Sequence, residues 1–97
     1  MSEQNPTPEQ ETATAGLTFS EALEALKRGD RVARSGWNGK EMWIELVLAD
    51  KWTALSIYNE LLPWIGMKTA DDKFVPWLAS QTDLLAEDWE FVPTTSD

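Results

Sequence analysis

The side chains best equipped to bind something are six tryptophans, Trp37, Trp43, Trp52, Trp64, Trp77 and Trp89, in a chain of 97 residues. Each has a large apolar ring and one N–H that wants an acceptor, so a small core should send some of them to an interface or a pocket. Trp37 lies in the turn sequence Ser35-Gly36-Trp37-Asn38-Gly39, just after Arg31 and Arg34. A loop aromatic beside cations is the arrangement that stacks a purine and pairs a phosphate. The alternative for Trp37 is a lid folded over the core. Trp77 leads into Ser80, Gln81, Thr82 and Asp83, whose donors and acceptors stand at the start of an expected helix, where an anion would also meet free amides. The competing role for those four is simply to cap the helix. For Trp43, Trp64 and Trp89, each beside apolar neighbours in an expected strand, packing or a subunit interface is expected.

The chain contains neither histidine nor cysteine. The usual shuttling base, the transition-metal ligands and the Ser-His or Cys-His nucleophile pairs are therefore missing, and binding is expected rather than catalysis. Only carboxylate or lysine chemistry remains open. The acid pairs Asp71-Asp72 and Glu87-Asp88 lack calcium-ligand spacing and read as solvated surface, so no metal is expected. Gly36 and Gly39 fit neither a Walker nor a dinucleotide pattern, and no cofactor is implied.

A formal charge of −9 would repel duplex nucleic acid. Within residues 17–92, thirteen acids stand against all eight lysines and arginines, so basic groups can still gather around a small anion. No apolar run approaches the roughly 20 residues that span a bilayer. The first sixteen residues lack the basic start and apolar centre of a signal peptide, which makes the cytoplasm the expected compartment.

Residues 1–16, rich in Glu, Gln, Thr and Pro, are expected to be a disordered tail, followed by one domain over 17–92 and a short tail over 93–97. Thr18-Phe19-Ser20-Glu21 is a capping box, and Phe19, Ala22, Leu23 and Leu26 form one apolar stripe, so a helix ending near Gly29 should follow. Arg31-Val32-Ala33-Arg34 reads as a short strand with its two arginines on one face. Residues 42–48 read as a strand, and residues 52–57 as its return in a hairpin. Residues 64–68 and 73–77 suggest a second hairpin, with Pro63 and Pro76 confining its strands to edges or ends. Ser80-Gln81-Thr82-Asp83 repeats the capping box before a short helix, and residues 89–92 close as a strand. The expected class is α+β, an N-terminal helix packed on an antiparallel sheet in a small domain that oligomerises to cover its edges.

Two blocks carry a resemblance: TFSEALEALKRGDRVARSGWNGKEMW over 18–43, with its G-W-N-G, and GMKTADDKFVPWLASQTDLLAEDWEFV over 66–92, with its W-L-A-S-Q-T-D-x-L-A-E-D-W. Together they make the chain similar to the Thoeris anti-defence family of the second type, small phage and prophage proteins. That resemblance covers nearly all of residues 17–92 and is least distinct over 48–63. It implies a sponge that holds a cyclic ADP-ribose isomer without cleaving it, in the cytoplasm of an infected or lysogenic bacterium. It further implies a homotetramer with pockets where subunits meet, although the residues alone leave dimer and tetramer both open. Carried over by position, Trp37 with Asn38 would hold the purine, Trp77 would form the other aromatic wall, and Ser80, Gln81, Thr82 and Asp83 would meet base or ribose. Arg31, Arg34 and Lys68 are expected to face the pyrophosphate from charge and neighbourhood alone. Competing expectations are a sponge mainly for cyclic oligonucleotides, a nucleotide-cleaving enzyme, and a structural module of a phage particle.

Overall fold

The computed structural model describes residues 13–37, 41–48 and 62–93. Thr18 starts the first helix, α1 (Phe19–Lys27), through a complete capping box: its hydroxyl accepts from the Glu21 amide, and the Glu21 carboxylate accepts from the Thr18 amide at 2.9 Å. Gly29, at φ 97°, takes the left-handed position that ends the helix, and its amide donates to the Leu26 carbonyl. Between these stops Ala22, Ala25 and Leu26 are fully buried, with Phe19 and Leu23 packed at their margin. The apolar stripe is thus the face the helix lays on the sheet.

The sheet is built from β1 (Arg31–Arg34), β2 (Trp43–Val47), β3 (Trp64–Lys68), β4 (Phe74–Pro76) and β5 (Trp89–Val92), with a short helix α2 (Gln81–Leu85) before the last strand. The strand order is β4-β3-β2-β1-β5 and every neighbouring pair is antiparallel, so the fold is the expected α+β arrangement of an N-terminal helix on an antiparallel sheet. Residues opposite one another share a face. Val32 stands opposite Ile44 and Phe91, and Ile44 opposite Met67. These residues, with Trp89, form the face that α1 covers.

The chain's own lead-in covers the outer edge of β5. Leu17 and Trp89 exchange both backbone hydrogen bonds, and the Phe91 amide donates to the Thr14 carbonyl. Residues 14–17 therefore lie along the domain edge, while residues 1–12 of the expected tail and 94–97 at the other end fall outside the described residues. The opposite edge, β4, is three residues long and carries Pro76, which blunts further pairing.

One expectation is corrected. Arg31 and Arg34 do not share a face: strand side chains alternate with period two, so an odd spacing sends them to opposite sides. Arg31 lies with Glu45 and Trp43 on the sheet face away from α1, whereas Arg34 follows Val32 to the helix side. The expected return strand over residues 52–57 lies outside the described residues; within them β2 pairs with β1 at Val32↔Ile44 and with β3 over its whole length, from Trp43↔Lys68 to Val47↔Trp64. The second hairpin forms as expected from β3 and β4, joined by a turn over 69–72 with Asp72 at φ 69°.

On the helix-free face the rings of Trp43 and Trp64 each approach Phe74, at centroid distances of 6.2 and 6.0 Å. Phe74 packs closely over Gly66, and a Cβ at that position would overlap its ring and crowd the Trp64 indole. Gly66→Ala should therefore lift the aromatic ring off the sheet and destabilise the fold by about 1–3 kcal/mol, the usual range for overpacking, measurable as a lower urea midpoint.

Candidate ligand-binding site

Trp89 is the keystone of an aromatic cluster. It is fully buried, its indole N–H donates to the Asp83 carbonyl at 3.0 Å, and three other rings pack around it. Trp37 and Trp77 meet it nearly edge-on, at centroid distances of 5.4 and 6.0 Å, and Phe19 of α1 lies 5.3 Å away. Edge-to-face contact suits the ring quadrupoles and adds about 0.5–1.5 kcal/mol per pair beyond the buried area. The two tryptophans singled out as ligand walls are thus brought to one place, both half-buried against the same indole. Ligand wall and core lid are not exclusive here, because each ring packs on Trp89 and is still only half-buried.

A polar node fixes Trp37 from the other side. The Trp37 amide donates to the Arg34 carbonyl at 3.1 Å, which closes the turn after β1. Its indole N–H donates to Asp83 Oδ1 at 3.3 Å. Asp83 also accepts from Arg34 Nη1 at 3.0 Å and, through Oδ2, from the Ser80 amide, completing the second capping box. Arg34 Nε donates in turn to Asp88 Oδ1 at 2.8 Å, so one guanidinium bridges two carboxylates. Asp88 Oδ2 accepts from the Gly36 amide at 2.9 Å and from the Ser35 hydroxyl. Asp88, expected to be solvated surface, is the acceptor around which the turn folds.

Asp83 titrates low as a balance. Burial pushes it up, but hydrogen bonds from Arg34, from Ser80 and from the Trp37 indole outweigh that and hold it below the usual carboxylate range. Asp88 is held low chiefly by the Arg34 hydrogen bond, against burial and with help from the Gly36 amide. A carboxylate whose pKa is lower folded than unfolded contributes stability that is complete above the ordinary aspartate value of about 3.9 and is lost as pH falls through the lowered values. The urea midpoint should therefore stay flat from neutral pH to about 5 and drop below about pH 4, with a shallower drop in Asp88→Asn.

The three cations expected at a pyrophosphate do not converge. Arg31 pairs with Glu45 at 3.2 Å and lies 4.0 Å over the Trp43 ring. Arg34 is held by Asp83 and Asp88. Lys68 pairs with Asp72 at 3.0 Å and donates to the Glu41 carbonyl. Each would have to leave a carboxylate to meet a phosphate. Ser80 spends its hydroxyl on the Asp83 amide, Gln81 and Thr82 are exposed in the first turn of α2, and Asn38 lies outside the described residues.

A cleft of about 390 Å³ opens beside this node, between β1, β5 and residues 41–42; Arg34, Trp37, Met42, Phe91, Glu41 and Glu90 contribute to its lining. That volume falls in the range of small-molecule pockets, and its mixture of apolar surface with a few polar groups is the usual composition. Of the expected site residues, Trp37 and Arg34 reach it directly, while Trp77 and Asp83 are joined to it through Trp89 and the indole of Trp37. Asp88, Glu41 and Glu90 belong to this neighbourhood and were not among the expected site residues. None of the three had a sequence signal: Asp88 read as one of a solvated acid pair, and its partners Arg34, Ser35 and Gly36 lie more than fifty residues upstream.

A family profile described as the Thoeris anti-defense 2-like domain matches residues 17–92. A curated protein named Thoeris anti-defense 2, from Bacillus phage SP01, is 46% identical over 87 residues, covering 78% of this chain and 94% of that protein.

Proposed function

Since the chain belongs to the Thoeris anti-defense 2-like family, we propose that it is a sponge that binds a cyclic ADP-ribose-type immune signal without cleaving it and so withholds it from the Thoeris effector. The observation that carries this reading is Trp37, which lines a cleft of about 390 Å³ and packs, as Trp77 does, against the one buried indole of Trp89. Rings held from behind by a rigid core are ready to stack on a base at little ordering cost, and stacking contributes about 1–3 kcal/mol per base. The absence of histidine and cysteine supports holding over hydrolysis.

The site is completed by a second copy of the chain, in a homotetramer. Two features support that arrangement. Leu78 is 92% exposed and Leu85 78% exposed, both in the stretch that carries Trp77 and α2. Apolar side chains this bare next to a ligand wall are suited to a subunit contact. The proposed phosphate-facing arginines and lysine are also engaged with carboxylates within the subunit, so a neighbouring subunit is the natural source of further donors.

The test is recovery of the ligand. Protein incubated with glycocyclic ADP-ribose, washed and then heated should release the compound intact in stoichiometric amount. Release of a hydrolysed product would move the chain to nucleotide-cleaving enzymes, and no uptake of cyclic ADP-ribose isomers would remove the sponge reading. Light scattering on the same sample should give the mass of four chains.

A further inference from the structure

The geometry assigns Asp88 as the positioning residue of the binding site: it sets the turn that delivers Trp37, without touching the ligand itself. This rests on the reading of Trp37 as a ligand wall. Asp88 accepts hydrogen bonds from four separate groups of the turn: the Ser35 amide, the Ser35 hydroxyl, the Gly36 amide and the Arg34 guanidinium. Its backbone carbonyl accepts from the Ser35 amide at 3.0 Å, and its carboxylate accepts from the Gly36 amide, the Ser35 hydroxyl and Arg34 Nε. Every residue between the end of β1 and Trp37 is therefore tied to this one aspartate.

The sequence around the turn is suited to that task. A Cβ at position 36 would stand 3.0 Å from Asp88 Oδ2, so the absence of a side chain there lets the carboxylate reach the amide. Gly36 serves close approach, since it is absent from the positive-φ residues. Arg34 extends the hold to the far side of the indole, because the guanidinium that meets Asp88 also meets Asp83, which accepts the Trp37 indole N–H. The ring is pinned at its backbone through Asp88 and at its nitrogen through Asp83, with one arginine between them. An ionised carboxylate supplies acceptors only, which is what two N–H groups and a hydroxyl converging on one point require. An asparagine of the same shape would turn a donor toward one of them.

The deciding experiment uses the full chain and Asp88→Asn, with folding checked by circular dichroism. In free protein, the Trp37 indole N–H resonance should shift and its hydrogen exchange, with that of the Gly36 amide, should speed up at least about tenfold, the scale of losing a charged hydrogen bond. The Trp43 and Trp64 indole resonances, on the other sheet face, should stay in place. Affinity for glycocyclic ADP-ribose by calorimetry should fall by about tenfold or more, while Ser35→Ala, which removes only the hydroxyl contact, should cost less than about threefold. A merely structural role would lower the melting temperature yet leave the Trp37 resonance and the affinity of the folded chain unchanged, and that result overturns the assignment. So does a displaced Trp37 with undiminished affinity. Should Asp88→Asn fail to fold, Gly36→Ala pushes the carboxylate off the amide while keeping its charge, and the same signals decide. If the unmodified chain takes up no glycocyclic ADP-ribose, the sponge reading fails by itself; an unmoved Trp37 resonance then overturns the positioning role, and a displaced one upholds it.

Discussion

Replacing Trp89 with alanine is expected to remove about 3–5 kcal/mol of stability, the range for truncating a buried tryptophan. The site offers no simple route to collapse. Trp37, Trp77 and Phe19 all rest on this ring, from three different segments, and none can fill the space without leaving the others. The indole N–H also satisfies the Asp83 carbonyl, which is left without that donor in the variant. Domains of this size have total stabilities near 5–15 kcal/mol, with the smallest at the lower end, so Trp89→Ala should be largely unfolded at 37 °C. Equilibrium unfolding in urea at 10–25 °C measures the loss. Trp89→Phe should recover part of it, because a ring remains for the edge-on contacts while the N–H is gone.

That dependence on one residue was only half legible in the sequence. Trp89 sits beside Phe91 in an expected strand, which pointed to packing, but the same signal assigned Trp43 and Trp64 alike. What separates them is the sheet's two faces. Trp89 lies opposite Arg34 on the side that α1 covers, whereas Trp43 and Trp64 lie on the other side, around Phe74. Facing follows from register, and register follows from which strands pair, which no short window contains. The expected return strand over residues 52–57 lies outside the described residues, and the ladder that β2 forms with β3, some twenty residues on, had no signal in either segment alone.

The helices were legible because their determinants are local. Thr18 with Glu21, and Ser80 with Asp83, are three residues apart and form both of the hydrogen bonds that a capping box calls for. The turn at Trp37 was legible from its glycine and serine. Its anchor was not, because Arg34 finds its acceptors at Asp83 and Asp88, about fifty residues downstream. Paired acids at a helix end usually face water alone, and here one of the two, Asp88, is partly buried and accepts from Arg34 and the Ser35-Gly36 turn. The opposite facing of Arg31 and Arg34, by contrast, was available from parity alone: residues three apart in a strand point to opposite sides.

Replacing Trp37 with alanine should lower affinity for glycocyclic ADP-ribose by about fivefold to a hundredfold or more, corresponding to about 1–3 kcal/mol for one stacked base. Two effects add in this variant, and they can be separated. The first is loss of the stacking surface itself. The second is loosening of the site, since Asp83 loses the indole donor and Trp89 loses one edge-on neighbour. Trp37→Phe retains an aromatic face but not the N–H, so it should keep most of the affinity if stacking dominates and fall with Trp37→Ala if the Asp83 bond dominates. Stability orders the pair differently: Trp37→Ala should lose about 2–4 kcal/mol as a half-buried aromatic truncation, less than Trp89→Ala, and should remain folded at 20 °C. Calorimetric titration at that temperature therefore reads binding by a folded chain. An affinity equal to that of the unmodified protein would place the base elsewhere and leave Trp37 as a lid over Trp89. A loss confined to Trp37→Ala, with Trp37→Phe near normal, would identify the ring face as the binding surface, and the same pair of substitutions at Trp77 would then show whether the base lies between two walls or against one.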